Sequence, residues 1–167
     1  MDCPKSFWAN RGLTFETQAM VTKIMIAVDT NLLLYAHRED CEFHGLALNF
    51  MQQFSEGENR WSIPWPCIHE FLAITTHPRI FDPPSPSNLA FDCIGNWLQS
   101  PTCELIGEDQ GYFEVLKRLS IQGKIAGPMI HDARVAAICI YNGIKELLTA
   151  DRDFSRFSEL KSRNPLT

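Results

Sequence analysis

From residue 24 onward the apolar positions keep two rhythms in turn. Short unbroken runs at 24–29, Trp61–Ile63, Cys103–Ile106 and Leu147–Thr149 have the length and branching of buried strands. Between them apolar residues recur every three or four positions, the spacing of one helix face. Residues 31–37 suit a short helix. Phe43, Leu46, Ala47, Phe50, Met51 and Phe54 form a stripe over 43–55, and Gly57 ends it. Pro64 and Pro66 bracket the turn into a helix over 67–76, whose Ile68, Phe71, Leu72 and Thr75 share a face. Pro78 to Pro86 holds four of the ten prolines and reads as a connector. A helix follows over 87–99. Another is capped by Glu108 or Asp109 and runs to about Gln122, where Gly123, Gly127 and Pro128 break it. The most apolar helix spans 130–142 and stops at Gly143. Strands separated by helices predict an α/β fold of three layers, α/β/α, around a central, mostly parallel sheet.

Residues 1–23 lack this rhythm. They read as an N-terminal extension, ordered or not, or as an artefact of start-site choice, since Met20 and Met25 are alternative starts. The domain proper is placed at 24–167.

Composition narrows the class without naming it. A chain of 167 residues is one domain by size, with 45% hydrophobic and 21% charged residues. No apolar run approaches the roughly 18 residues of a membrane span, and no secretory leader pattern opens the chain. The six cysteines form no C-x-x-C pair or metal-ligand spacing, so they read as reduced core thiols of a cytoplasmic protein. A net charge of −5 argues against a protein that coats nucleic acid, though not against a nuclease with acids at a metal site.

Four acids sit where such a fold gathers ligands. Asp29 ends the first strand. Glu70 lies near the start of the helix after the second strand, Asp132 opens the apolar helix, and Asp151 follows the last strand with Asp153 two residues on. Strand ends and the first turns of following helices lie on one edge of a doubly wound sheet. Each acid alone has a structural explanation: Asp29 as a helix cap, Glu70 and Asp132 as acids favoured by a helix dipole, Asp151 and Asp153 as turn residues. Together they repel, and a cluster needs a cation. Oxygen-only donors suit Mg²⁺ or Mn²⁺ over Zn²⁺. An Asp-nucleophile phosphatase would need a second Asp where Asn31 stands. His69 and His131 read first as solvated or core histidines. Trp61, Trp65 and Trp97 read first as core or interface residues, and second as surfaces for base stacking. Arg38, Arg79, Arg134 and Arg152 lie near the acidic motifs. Each could meet a phosphate or simply pair with an acid.

The ordered motifs Val28-Asp29-Thr30-Asn31, His69-Glu70, His131-Asp132-Ala133-Arg134-Val135-Ala136-Ala137 and Thr149-Ala150-Asp151-Arg152-Asp153-Phe154 resemble the PIN-domain ribonucleases, in particular the VapC-type toxins. Residues Thr76 to Pro84 are similar to a connector common in that group. The resemblance runs from about Met25 to the C-terminus. It implies a metal-dependent endoribonuclease that cleaves RNA with a metal-activated water. Asp29, Glu70, Asp132 and Asp151 match the catalytic quartet. Asp29, Asp132, Asp151 and Asp153 match metal ligands, for Mg²⁺ or Mn²⁺. Asn31 and Thr149 match polar residues that orient the carboxylates. The resemblance also implies an RNA substrate, a cognate antitoxin with a basic segment over the cleft, a homodimer formed through helices such as 43–55 or 67–76, and no membrane. Two other readings share these residues: a DNA-directed nuclease of the same family, and a non-catalytic module that kept the fold.

Overall fold

The structure, a computed structural model, describes residues 25–167; the extension expected at 1–23 lies outside the described residues. Five parallel strands form one sheet in the order β3-β2-β1-β4-β5. They are β1 (Ile26–Val28), β2 (Trp61–Pro64), β3 (Cys103–Ile106), β4 (Glu146–Leu148) and β5 (Lys161–Arg163). Six helices accompany them: α1 (Thr30–His37), α2 (His44–Glu56), α3 (Trp65–Thr75), α4 (Ser87–Leu98), α5 (Tyr112–Gln122) and α6 (Ile130–Tyr141). The α/β class and the parallel sheet are as the apolar rhythm predicts.

The central strands carry the core. Ala27, Val28, Ile63, Leu147 and Leu148 are inaccessible to solvent. Such strands lose their alternation because helices cover both faces. Phe71 of α3 is fully buried between the His37 ring at 5.3 Å and the Trp97 ring at 5.2 Å, and so joins α1, α3 and α4. Helix α6 ends where Gly143 turns left-handed, at φ +75, a conformation that costs glycine little.

Three expectations need correction. Neither Glu108 nor Asp109 caps α5; the helix starts at Tyr112, with Gly111 at its cap. Glu70 is the sixth residue of α3 rather than an opening residue, because α3 begins directly after β2. The edge strand β5 carries no apolar run at all. Its Lys161 and Arg163 instead hold the buried Glu146 of β4 at 2.9 and 3.0 Å. Burial acts to raise the Glu146 pKa, but hydrogen bonds from Lys161 and Arg163 outweigh it and hold it below its ordinary value. Among the described residues no helix is long and apolar enough to cross a membrane.

Candidate active site

Val28 and Leu148 are register partners on neighbouring parallel strands, so the residues after them emerge side by side. These are Asp29 and Thr149. The first turn of α1 brings Asn31 beside both. Asp29 is only 6% exposed, and both its oxygens are occupied. Oδ1 accepts the Thr30 backbone N–H at 2.8 Å and the Cys67 thiol at 3.5 Å. Oδ2 accepts the Thr149 hydroxyl at 2.6 Å and the Asn31 amide at 2.8 Å. The Asn31 amide also donates to Thr149 Oγ1 at 3.0 Å, and its carbonyl accepts from Ala150 N–H at 3.0 Å. Asn31 thus staples the start of α1 to the end of β4. Asp29 is also the cap of α1, as the cap reading expects.

Burial dominates the charge state of Asp29. Desolvation raises its pKa to about 6, against the lowering effect of the Thr149 and Thr30 hydrogen bonds; nearby Glu70 raises it further. Burial also pushes the Cys67 thiol well above its ordinary range, so it remains a donor beneath the carboxylate.

The other acids surround this anchor. Glu70 Oε2 accepts the Thr30 hydroxyl at 2.6 Å. Asp132, in the first turn of α6, has a raised pKa; desolvation is the leading cause, followed by the charges of Asp151 and Asp153, against a lowering effect of Arg156 and with a further push from Glu70. Asp151 caps a short 3-10 turn and accepts the Asp153 N–H at 2.8 Å. The four carboxylates therefore share one electrostatic neighbourhood. Among the described residues none of the four makes an ion pair with Lys, Arg or His. Asp153 differs, since its carboxylate is paired with Arg156 at 3.0 Å. Among the described residues no three His, Cys, Asp or Glu side chains stand close enough to grip one ion in this arrangement. In kind the donors do fit a hard divalent cation: they are all carboxylate oxygen, and among the described residues the one side-chain cation that acts on them, Arg156, is paired with Asp153 and only partly offsets the charge at Asp132.

The basic candidates divide. Arg38 is spent on structure: it holds Asp40 through Nε at 2.8 Å, meets Pro83 O at 3.1 Å and Ser85 Oγ at 3.2 Å, and covers the Phe81 ring at 4.1 Å. Arg134 pairs with Glu108. Arg79 and Arg152 are exposed, and neither side chain has a partner among the described residues. His69 is exposed beside Trp65, and His131 is exposed at the start of α6. Sequence reasoning missed Thr30, Cys67 and Arg156. Thr30 directly follows Asp29, and that adjacency was the only available signal; its bond to Glu70 spans 40 residues. Nothing in the sequence pointed to Cys67, because its contact with Asp29 spans 38 residues.

No protein-family model matches the chain. Ribonuclease VapC33 of Mycobacterium tuberculosis is 31% identical over 143 residues, covering 85% of this chain and 99% of that protein. The chain belongs to the VapC ribonuclease family. Ribonuclease VapC48 of the same organism is 27% identical over 139 residues, 83% of this chain and 96% of that VapC. The fold agrees. The VapBC2 structure from Rickettsia felis, bound to a DNA fragment from its promoter, superimposes with a TM-score of 0.58 at 18% identity, covering 84% of this chain and 98% of the matched one. The fold is thus the PIN-domain fold of VapC proteins.

Proposed function

We propose that this chain is a Mg²⁺- or Mn²⁺-dependent endoribonuclease and the toxin half of a toxin–antitoxin pair. The observation that carries the reading is a buried, fully hydrogen-bonded Asp29 with Glu70 acting on it, beside an Asp132 that feels Asp151, Asp153 and Glu70, with none of Asp29, Glu70, Asp132 and Asp151 in an ion pair among the described residues. A divalent ion bound there supplies a polarised scissile phosphate and an attacking water of lowered pKa. Asp29, Asp132 and Asp151 would hold it, with Asp153 at the margin and Glu70 supporting a second ion or its water. Asn31 and Thr149 fix the orientation of Asp29, and Thr30 fixes that of Glu70. No side-chain nucleophile is required. Arg79 and Arg152 remain available to RNA phosphates, whereas Arg134 must share itself with Glu108.

The ribonuclease names of VapC33 and VapC48 support an RNA substrate. The VapBC2 assembly from Rickettsia felis supports a cognate antitoxin. A basic antitoxin segment over the acidic cleft suits a chain of net charge −5. A cytoplasmic homodimer completes the reading; Leu46 on α2 and Phe113 and Ile121 on α5 are apolar side chains left exposed for such contacts.

The test is cleavage of total cellular RNA by wild type and Asp29→Asn in Mg²⁺ or Mn²⁺, with cut sites mapped. Wild type is expected to cut and the variant to be inactive with an unchanged circular dichroism spectrum. Full activity in the folded variant would refute the assignment.

A further inference from the structure

Pro64 and Ile106 are register partners at the ends of β2 and β3, so Trp65 and Gly107 emerge side by side on the same sheet edge as Asp29 and Thr149. A groove of about 560 Å³ opens there, lined by Trp65, His69, Glu108, Asp109 and Arg134 among others. Adjacent strands lie about 4.8 Å apart, and Trp65 follows the strand next to that of Asp29. The two sites also share helices, since His69 precedes Glu70 on α3 and Arg134 follows Asp132 by two residues on α6.

The chemistry of the groove is that of a base rather than a phosphate. Trp65 is 45% exposed, unusual for a Trp at the foot of a helix against a sheet. Its ring pairs with His69 at 5.7 Å, one helical turn on. Gly107 seats it: a Cβ there would come within 3.3 Å of the indole Cδ1. The Gly107 carbonyl is fixed in turn by the Asn142 amide at 3.2 Å. The platform is therefore held in place before any ligand arrives. Two carboxylates, Glu108 and Asp109, face one guanidinium, Arg134, which is already paired with Glu108. That balance repels a phosphate. It suits a neutral ring whose amino group donates to a carboxylate.

We propose that this groove is a nucleobase subsite, taking one amino-bearing base of the RNA strand stacked on Trp65 with its amino group on Glu108 or Asp109. The proposal deepens the ribonuclease reading and rests on it for the identity of the strand. Adenine, cytosine and guanine qualify, whereas uracil presents a carbonyl where the amino group is wanted. Arg134 thus acts in base selection, orienting Glu108, rather than in phosphate binding.

The test is fluorescence anisotropy with labelled hexa-adenylate, hexacytidylate and hexauridylate. All proteins are full-length and carry Asp29→Asn so that no strand is cut. With Trp65 intact, the adenylate and cytidylate strands are expected to bind about tenfold tighter than the uridylate, since only they bring an amino group to Glu108 or Asp109. Adding Trp65→Leu should weaken them about tenfold and level the three. Trp65→Phe should keep the order, and Asp109→Asn with Glu108→Gln should level it while retaining the stacking gain. Equal binding of all three strands with Trp65 intact, or an unchanged order in Trp65→Leu, overturns the subsite. Cleavage by the Asp29-containing protein is scored separately. If it cuts no RNA yet the binding order holds, the ribonuclease reading falls and the subsite stands.

Discussion

Asp29 caps a helix, sits in the core and anchors an acidic cluster, and these demands conflict. A carboxylate at 6% exposure resists ionisation, which is why its pKa rises to about 6. The folded state then keeps a proton that the unfolded chain releases near the ordinary value of 3.8. Folded protein binds the excess proton between about pH 4 and 6, so this group's contribution to stability falls as pH rises through that window and is level above it. Asp29→Asn removes the titration. In metal-free buffer its stability relative to wild type should grow by about 3 kcal/mol from about pH 4 to 7, read from urea midpoints. A flat difference would mean that Asp29 is not desolvated. Asn31 carries three hydrogen bonds at this junction. Asn31→Ala should cost about 1–3 kcal/mol, because the Ala150 N–H loses its partner and Asp29 Oδ2 keeps only the Thr149 hydroxyl. It should also lower metal-dependent cleavage about 10–100-fold, the usual effect of removing a group that orients a ligand. Loss of stability with cleavage rates untouched would restrict Asn31 to a structural role.

Among the elements, β5 shows how an edge strand is recruited without apolar side chains. Its Lys161 and Arg163 flank the buried Glu146 of β4. Both basic partners are substantially exposed, so solvent screens much of the attraction. Glu146→Gln should cost about 1–2 kcal/mol and speed amide exchange across residues 161–163. The sign with pH is opposite to that of Asp29. The Glu146 pKa lies below its ordinary 4.5, so its contribution is present above about pH 4.5 and is lost as pH falls through the folded value. Helix α3 depends on packing instead. Phe71→Ala should cost about 3–5 kcal/mol by leaving a cavity between His37 and Trp97, measured by denaturant titration.

At the scale of the whole molecule, parallel strands send every strand end to one edge, and the candidate site residues collect there. Asp29, Asp151 and the groove at Trp65 all follow strand ends, while Glu70 and Asp132 reach the same edge from helices. Calorimetric titration with Mn²⁺ should therefore show binding to wild type and weak or no binding to Asp29→Asn, and the ion should raise the thermal midpoint of wild type alone. Equal heats for both would move the ion away from Asp29. The apolar pattern carried the α/β class and, among the described residues, four of the five strands and all six helices, because burial on both faces writes continuous apolar runs and one-sided burial writes a helical stripe. The sequence also singled out Asp29, Glu70, Asp132 and Asp151 as candidates, since those residues lie at strand ends or on the helices that follow them and within ordered motifs. Tertiary structure alone decided what those acids touch. The contacts that lock Asp29 come from Cys67 and Thr149, 38 and 120 residues away, and no local pattern encodes such a distance. It likewise decided that β5 joins the sheet, since its pairing rests on charges across strands rather than on its own hydrophobicity. It decided which arginines are spent on structure, because Arg38 meets Pro83 and Ser85 only once the connector folds back on α1.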